Sequence, residues 1–227
     1  MGKKLTYFTM ILALTFSALA CNLSAVDLSG GSKLPPEILF QDNFSDPSSG
    51  WDLQTSPEFE TGYRDGGFVI SIKAASTMAW SKPGLGFSDV VIETDTVKIG
   101  GLDDNSFGII CRYTEMEAAS SFYFFVISSD GFYGIGKVTD GRQELISSDN
   151  MEYNSAIQQG SRNNHLQAEC VGNQLVLRVN GQELASTTDD SFTAGDVGLM
   201  AGAFSASGTE IFFDNFSVKE PPVLSDE

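Results

Sequence analysis

The sequence predicts an all-β protein built from about ten to twelve antiparallel strands, arranged as a sandwich or barrel. Three observations predict it. No stretch sustains a helical period; short runs of β-branched and aromatic residues recur instead. Asp-Gly, Asn-Gly and Gly-Asn pairs punctuate those runs, and these are the residues of tight hairpins. The 227 residues are 41% hydrophobic and include 17 Phe and 23 Gly, enough apolar surface for a full core.

The elements follow in order. "ILFQDNFS" (38–45) is the first extended run. "GGFVISIKA" alternates after a Gly pair, and "DVVIETDTVKI" leads into the loop "GGLDDN". "SFGIICRYT" follows; then "SSFYFFVIS" passes through "SDG" into "FYGIGKV", which "TDG" closes. Ser147–Gln159 is polar and poorly patterned, so it reads as a loop. "NHLQAECV" turns at "GN" into "QLVLRV", which turns again at "NG". "GDVGLMAGAF" and "TEIFFDNFSV" complete the set. In "SFYFFVIS", Phe122, Phe124 and Val126 fall on one face and Tyr123, Phe125 and Ile127 on the other. Both faces are apolar, so both need cover: one from the opposing sheet, the other from a loop or a ligand.

The tetrapeptide Asp-Asn-Phe-Ser occurs at 42–45 and again at 214–217. Strict alternation puts Phe40, Asp42 and Phe44 on one face, and Phe212, Asp214, Phe216 and Val218 on one face of the second copy. The simplest reading is two terminal strands, antiparallel to each other and packed alike into one core. A sharper reading sets Asp42 and Asp214 around one Ca²⁺. Asx side chains that tie down their own turns are the commoner use of such positions.

The N-terminus carries a targeting signal. Lys3 and Lys4 precede an apolar run from Leu5 to Ala20, too short to span a bilayer, and small residues close it. "Ser-Ala-Leu-Ala-Cys" resembles the bacterial lipobox, with Ala18 where Leu is usual, so residues 1–20 are expected to be a signal peptide and Cys21 the lipidated first residue. An ordinary secretory signal beside an incidental Cys is the alternative. Residues 21–37 read as a Gly/Ser- and Pro-bearing tether, 38–219 as the folded domain and 220–227 as a tail. Export places Cys111 and Cys170 in an oxidising space, so the expectation is a disulfide between them across a loop of about 60 residues, with two buried thiols as the alternative. The net charge is -17, and losing Lys3 and Lys4 with no acid would take the mature chain to -19. Such a polyanion repels nucleic acid.

Five stretches in order carry a resemblance: "FQDNFSDPSSGWD", "SDVVIETD", "DNSFGIICR", "NHLQAECVGNQLVLRVNGQEL" and "GDVGLMAG…FFDNFSV". Together they resemble the concanavalin A-like jelly-roll superfamily, and more narrowly its laminin-G-like and 3-keto-disaccharide-hydrolase-type domains. The resemblance implies a two-sheet antiparallel jelly-roll β-sandwich with its first and last strands adjacent. Gly50-Trp51, Asn180-Gly181 and Gly198 match scaffold positions, and His165 falls where related domains carry a residue before a strand. Asn105 and Arg112 match a stretch from which contact with a ligand is expected.

Glucanases that resemble this fold place three acids on one strand. Here Glu93 and Asp95 share a face, but Val97 and Lys98 stand where the third would be, so retaining hydrolysis by that arrangement is not expected. His165 is the one histidine, which excludes a His-rich metal site. Sugars present apolar faces and rings of hydroxyls, so glycan sites join aromatic platforms to polar side chains. Candidates are Trp80, Tyr113, Tyr123 and Tyr133 with Glu93, Asp95, Asn105 and Arg112; the bland reading makes the aromatics core residues and Arg112 a cross-strand partner of Glu93 or Asp95. The expectation is a monomeric, lipid-anchored, extracytoplasmic module that binds a carbohydrate or envelope polymer without cleaving it, with Ca²⁺ the one cofactor raised. The alternatives are a hydrolase of modified, 3-keto-type glycosides and an adhesion part that binds another protein.

Overall fold

A computed structural model describes residues 36–117 and 119–222. The expected signal peptide, Cys21, all but the last two residues of the expected tether, and residues 223–227 lie outside the described residues. The described chain is all strand and turn. Its strands are β1 (Ile38–Asp42), β2 (Gln54–Thr55), β3 (Phe59–Arg64), β4 (Gly67–Ile72), β5 (Thr77–Ser81), β6 (Gly86–Phe87), β7 (Val90–Gly100), β8 (Asn105–Met116), β9 (Ala119–Ile127), β10 (Phe132–Thr139), β11 (Arg142–Leu145), β12 (Glu152–Tyr153), β13 (Asn164–Val171), β14 (Gln174–Val179), β15 (Gln182–Thr188), β16 (Gly195–Ala203) and β17 (Thr209–Lys219). The sequence runs account for ten of these. The others, β2, β3, β5, β6, β11, β12 and β15, are short or polar and lie at or beside the sheet margins. Polar, short margins discourage pairing with another chain, and they erase the alternation that reveals a strand.

The strands form two antiparallel sheets. The first runs β15-β14-β13-β7-β17-β4-β3-β2, with β1 also on β17; the second runs β11-β10-β9-β8-β16-β5, with β12 on β10 and β6 on β16. Alternation drives one face of each inward. Ile70, Ile92, Leu166, Leu177 and Phe213 from the first sheet meet Ile109, Phe125, Ile127, Ile135 and Leu199 from the second. The turns obey their sequence signals: Asp140-Gly141 and Asn180-Gly181 both hold positive φ at both positions, as a two-residue hairpin turn requires. Cys111 of β8 and Cys170 of β13 are joined, so the disulfide crosses between the sheets.

The repeated tetrapeptide sits where the chain's ends meet. β1 pairs antiparallel with β17, Phe40 opposite Val218 and Asp42 opposite Phe216. β17 pairs β4 over Thr209–Phe213 and β1 over Phe216–Lys219, with a bulge against β7 in the second Asp-Asn pair. That bulge corrects the strict alternation. Asn215 takes φ 52°, so Ile211 and Phe213 face the core before it and Phe216 and Val218 face the core after it. The phenylalanines of both copies pack on one ring: Phe44 and Phe216 lie 5.1 and 4.9 Å from Trp51.

Asp42 and Asp214, raised above as a carboxylate pair for Ca²⁺, are each engaged in their own turn. Asp42 accepts hydrogen bonds from the Phe44 amide (2.7 Å), Ser49 Oγ (2.5 Å) and Trp51 Nε1 (2.9 Å). Asp214 accepts from the Asn215 amide at 2.7 Å. Each carboxylate secures its own turn, and among the described residues no group of three His, Cys, Asp or Glu could hold a metal ion.

A cross-sheet disulfide restricts the unfolded chain. Replacing both Cys111 and Cys170 by Ala is expected to lower the unfolding free energy by about 3–4 kcal/mol, measured by denaturant titration.

Candidate functional site

The outer face of the second sheet is apolar, as the two-faced pattern of β9 predicts. Ile110, Phe122, Phe124, Val126, Val138 and Met200 form a second buried cluster outside the main core, with Met78, Trp80, Leu145 and Met151 half-buried against it. The cover is protein: the 142–160 segment brings Leu145 and Met151 across β10. Glycines of β10 make room for it: a Cβ at Gly136 would stand 2.5 Å from the Glu144 carbonyl, and one at Gly134 would stand 2.9 Å from Leu145 Cδ2.

At the β5–β8 side this cover stops and a cleft of about 450 Å³ opens. That size lies within the range of small-molecule sites. Trp80 and Tyr113 line it, both resting on Phe122 at centroid distances of 5.2 and 5.6 Å. Asp52, Gln54, Lys82, Glu115 and Ser120 supply its polar groups. Lys82 pairs with Asp52 at 2.7 Å, and its ammonium stands 5.1 Å from the Tyr113 ring centroid. Burial pulls the Lys82 pKa down, but the Asp52 carboxylate outweighs it and the ammonium is held above its ordinary value. The Tyr113 hydroxyl donates to Glu115 at 2.8 Å and lies 3.1 Å from Ser120 Oγ. Burial raises that phenol's pKa.

A backbone irregularity delivers Tyr113 to this face. Phe107, Ile109 and Cys111 point into the core, and simple alternation would send Tyr113 after them. Arg112 instead takes φ 54°, at a register shift between β8 and both its neighbours, and Tyr113 turns outward. The Arg112 side chain, 2% exposed, donates to the carbonyls of Ser88 (3.2 Å), Gly172 (2.8 Å) and Phe192 (2.8 Å) and to Asp89 (3.1 Å). Arg112 is therefore a buried pin that presents Tyr113, rather than a ligand contact or a partner of Glu93 or Asp95.

The other expected site residues are elsewhere. Asn105 is fully buried and ties Leu102 O and Ser129 together. Tyr123 is a core residue; its hydroxyl donates to Asp189 at 2.6 Å and accepts from the Phe192 amide at 3.0 Å. Tyr133 is likewise core, bonded to Glu152 at 2.9 Å. Glu93 and Asp95 lie on the outer face of the first sheet, the far side of the sandwich from Trp80 and Tyr113. There Lys219 donates to Glu93 at 2.5 Å, His165 Nδ1 lies 2.9 Å from Asp95, and Asn215 Nδ2 donates to Asp95 at 2.9 Å. Of the expected set, only Trp80 and Tyr113 share a cleft. Sequence reasoning missed Asp52, Gln54, Lys82, Glu115 and Ser120. One signal was available: Trp80 and Lys82 stand two apart in an extended run, which sends both to one side.

No family model matches the chain, and no curated protein matches it in sequence. Solved structures do match its shape. The carbohydrate binding module CBM66 from Bacillus subtilis superposes with a TM-score of 0.57 at 16% identity, over 75% of this chain and 96% of that one. The catalytic domain of an endo-1,3-beta-glucanase (laminarinase) from Thermotoga petrophila gives 0.57 at 8%, over 83% and 99%. A Bacillus subtilis protein with a galectin-like fold gives 0.60 at 10%, over 81% and 96%. The chain has the concanavalin A-like jelly-roll fold. This jelly roll has the adjacent terminal strands that the sequence resemblance implies.

Tyr123 supplies a test of the core. Burial, with Asp189 as acceptor, pushes its phenol up to about 12. The folded state thus holds this proton more tightly than the unfolded chain, whose phenol titrates near ~10. The stabilisation is complete below ~10 and is lost as pH rises through the folded value. Denaturant unfolding at stepped pH is expected to show stability falling across that alkaline window, with a smaller fall in Tyr123→Phe.

Proposed function

We propose that this domain binds a glycan in the Trp80–Tyr113 cleft and is held outside the cytoplasmic membrane by lipid on Cys21. The cleft carries the first half of the reading: two aromatic side chains beside carboxylate, amide, ammonium and hydroxyl groups match the mixed surface of a sugar ring. Solved structures of the same fold described as a carbohydrate binding module and as glucanases support it. Beyond the cleft the same face of the sheet is buried: Ile110, Phe124, Val126 and Met200 are 0–3% exposed. A trough across the whole sheet is therefore filled, and the ligand is a chain end or a short stretch of sugar.

The anchor rests on the sequence of residues 1–21 alone. Each buried CH₂ adds ~0.8 kcal/mol, and more than one chain makes the attachment stable. The domain works as a monomer in this reading.

A second reading has one observation in its favour. Asp52 and Glu115 line the same cleft, and glycoside hydrolysis uses two carboxylates. Binding is the better account, because Asp52 is paired with Lys82, and Glu115 accepts a hydrogen bond from the Tyr113 hydroxyl. Glu93 and Asp95 face the other way, which removes them as the acid pair for this cleft.

Trp80→Ala is expected to weaken glycan binding by about tenfold, measured by titration calorimetry on a sugar selected from an array, and to lower the unfolding midpoint as well, so the titration is run where denaturation curves show the variant folded. Unchanged affinity would remove the cleft from the reading. Cys21→Ser is expected to move the protein from the membrane fraction to the soluble one, and release of hydrolysed product by the unaltered protein would favour the second reading.

A further inference from the structure

The cleft has an electrostatic sign of its own. Lys82 is its one cationic side chain; two carboxylates, Asp52 and Glu115, line the cleft with it, and a third, Asp196, lies near Lys82 outside the lining. Asp52 pairs with it directly at 2.7 Å. Asp196 lies opposite Tyr113 in the β8–β16 ladder and acts on Lys82 through its field. Glu115 lines the cleft on the far side of the Tyr113 hydroxyl. Among the described residues no Lys, Arg or His comes within 4.0 Å of Glu115. Among the described residues its one hydrogen-bond partner is a neutral phenol at Oε2, and Oε1 has none, which makes it an anionic acceptor beside the aromatic rings.

An uncompensated carboxylate beside aromatic faces is complementary to a cation. The rings attract positive charge through their quadrupoles, Trp most strongly, and the carboxylate adds a charge-assisted hydrogen bond. The cleft already displays the first of these attractions, since the Lys82 ammonium stands over the Tyr113 ring. An anionic sugar would meet the opposite conditions. The one ammonium available to it is engaged by Asp52, and the chain as a whole carries -17. We infer that the cleft selects an amine-bearing glycan, a hexosamine with a free ammonium group, over its N-acetylated and uronic-acid counterparts. The inference rests on the glycan reading and adds the charge class of the sugar to it.

The role of each residue follows. Trp80 and Tyr113 supply the apolar floor. Glu115 receives the ammonium. Lys82 and Asp52, paired with each other, hold the wall and keep an acidic sugar from gaining a free cation. The selectivity is electrostatic at a partly open site, so added salt weakens it.

The test uses the full chain and three probes: tetramers of glucosamine, N-acetylglucosamine and galacturonic acid, titrated in mildly acidic buffer at low salt. The glucosamine tetramer is expected to bind on the order of tenfold more tightly than the N-acetylated one, and the uronic acid tetramer to bind most weakly. Glu115→Gln is expected to bring the first two within about twofold of each other, and raised salt to narrow the gap in the unaltered protein. Glu115 is exposed, so this variant keeps the fold, and its unfolding midpoint verifies that. If the acetylated or acidic tetramer binds as tightly as the amine, and Trp80→Ala weakens that binding, the charge preference is wrong and the glycan reading stands. A preference for the amine that persists undiminished in Glu115→Gln also overturns the assignment. Binding to none of the three overturns it too, and a wider array that likewise finds no sugar overturns the glycan reading with it.

Discussion

A strand that is apolar on both faces must be covered twice, and the arrangement of this molecule follows from that requirement. β9 sends Tyr123, Phe125 and Ile127 into the space between the sheets and Phe122, Phe124 and Val126 out of it. The other sheet covers the first set. Nothing equivalent lies beyond the second, so the chain covers it locally with Leu145 and Met151 on one side and Trp80 and Tyr113 on the other. Burying a large apolar side chain stabilises by roughly 1.5–3 kcal/mol, so leaving such a row in water would be costly. The cleft is the place where this second cover ends. Its aromatic floor is therefore a product of the same burial that holds the sheet together, and its polar rim comes from the strands and turns at the margin.

Buried polar groups fix the geometry that the apolar contacts leave free. Arg112, Asp42 and Asn105 are each 9% exposed or less and each is held by several hydrogen bonds. A buried charge without partners costs several kcal/mol, so such groups are tolerated only where the partners are in place, and that condition specifies one arrangement of the loops. Arg112 gathers three carbonyls and a carboxylate from loops distant in sequence while its backbone reverses the face of Tyr113. Asp42 gathers the Phe44 amide, Ser49 and the Trp51 indole, which places Trp51 against the phenylalanines of both repeated tetrapeptides. The first and last strands are thus joined by backbone pairing and, through the phenylalanines of both tetrapeptides, by one shared aromatic ring that a buried carboxylate holds in place.

The distribution of charge separates the two faces of the sandwich. On the outer face of the first sheet, Glu93, Asp95, Lys219, His165 and Asn215 satisfy one another. Exposed pairs of this kind contribute little stability each, about 0–1 kcal/mol. In the cleft of the second sheet, aromatic faces accompany a carboxylate without a cation. The same residue types therefore serve as a closed surface network on one side and a chemically incomplete one on the other.

What the sequence by itself determined is what local physics encodes. Alternation, Asp-Gly and Asn-Gly turns and the two-faced apolar run specify an antiparallel all-β sandwich or barrel, the resemblance selects the sandwich, and the repeated tetrapeptide marks its adjacent ends. Trp80 and Tyr113 were legible as aromatic candidates. Their separation from Glu93 and Asp95 was not, because alternation assigns a residue to a face without saying which sheet, or which side of the sandwich, that face belongs to. Two left-handed residues, Arg112 and Asn215, each reverse the alternation after them, and neither Arg nor Asn in a β-rich run announces a bulge. Only the tertiary structure decided that Arg112, Asn105 and Tyr123 are buried supports, and that Asp52, Lys82, Glu115 and Ser120 converge on two aromatic rings. Such convergence depends on contacts between strands far apart in the chain, and a strand's own period carries no record of its distant neighbours.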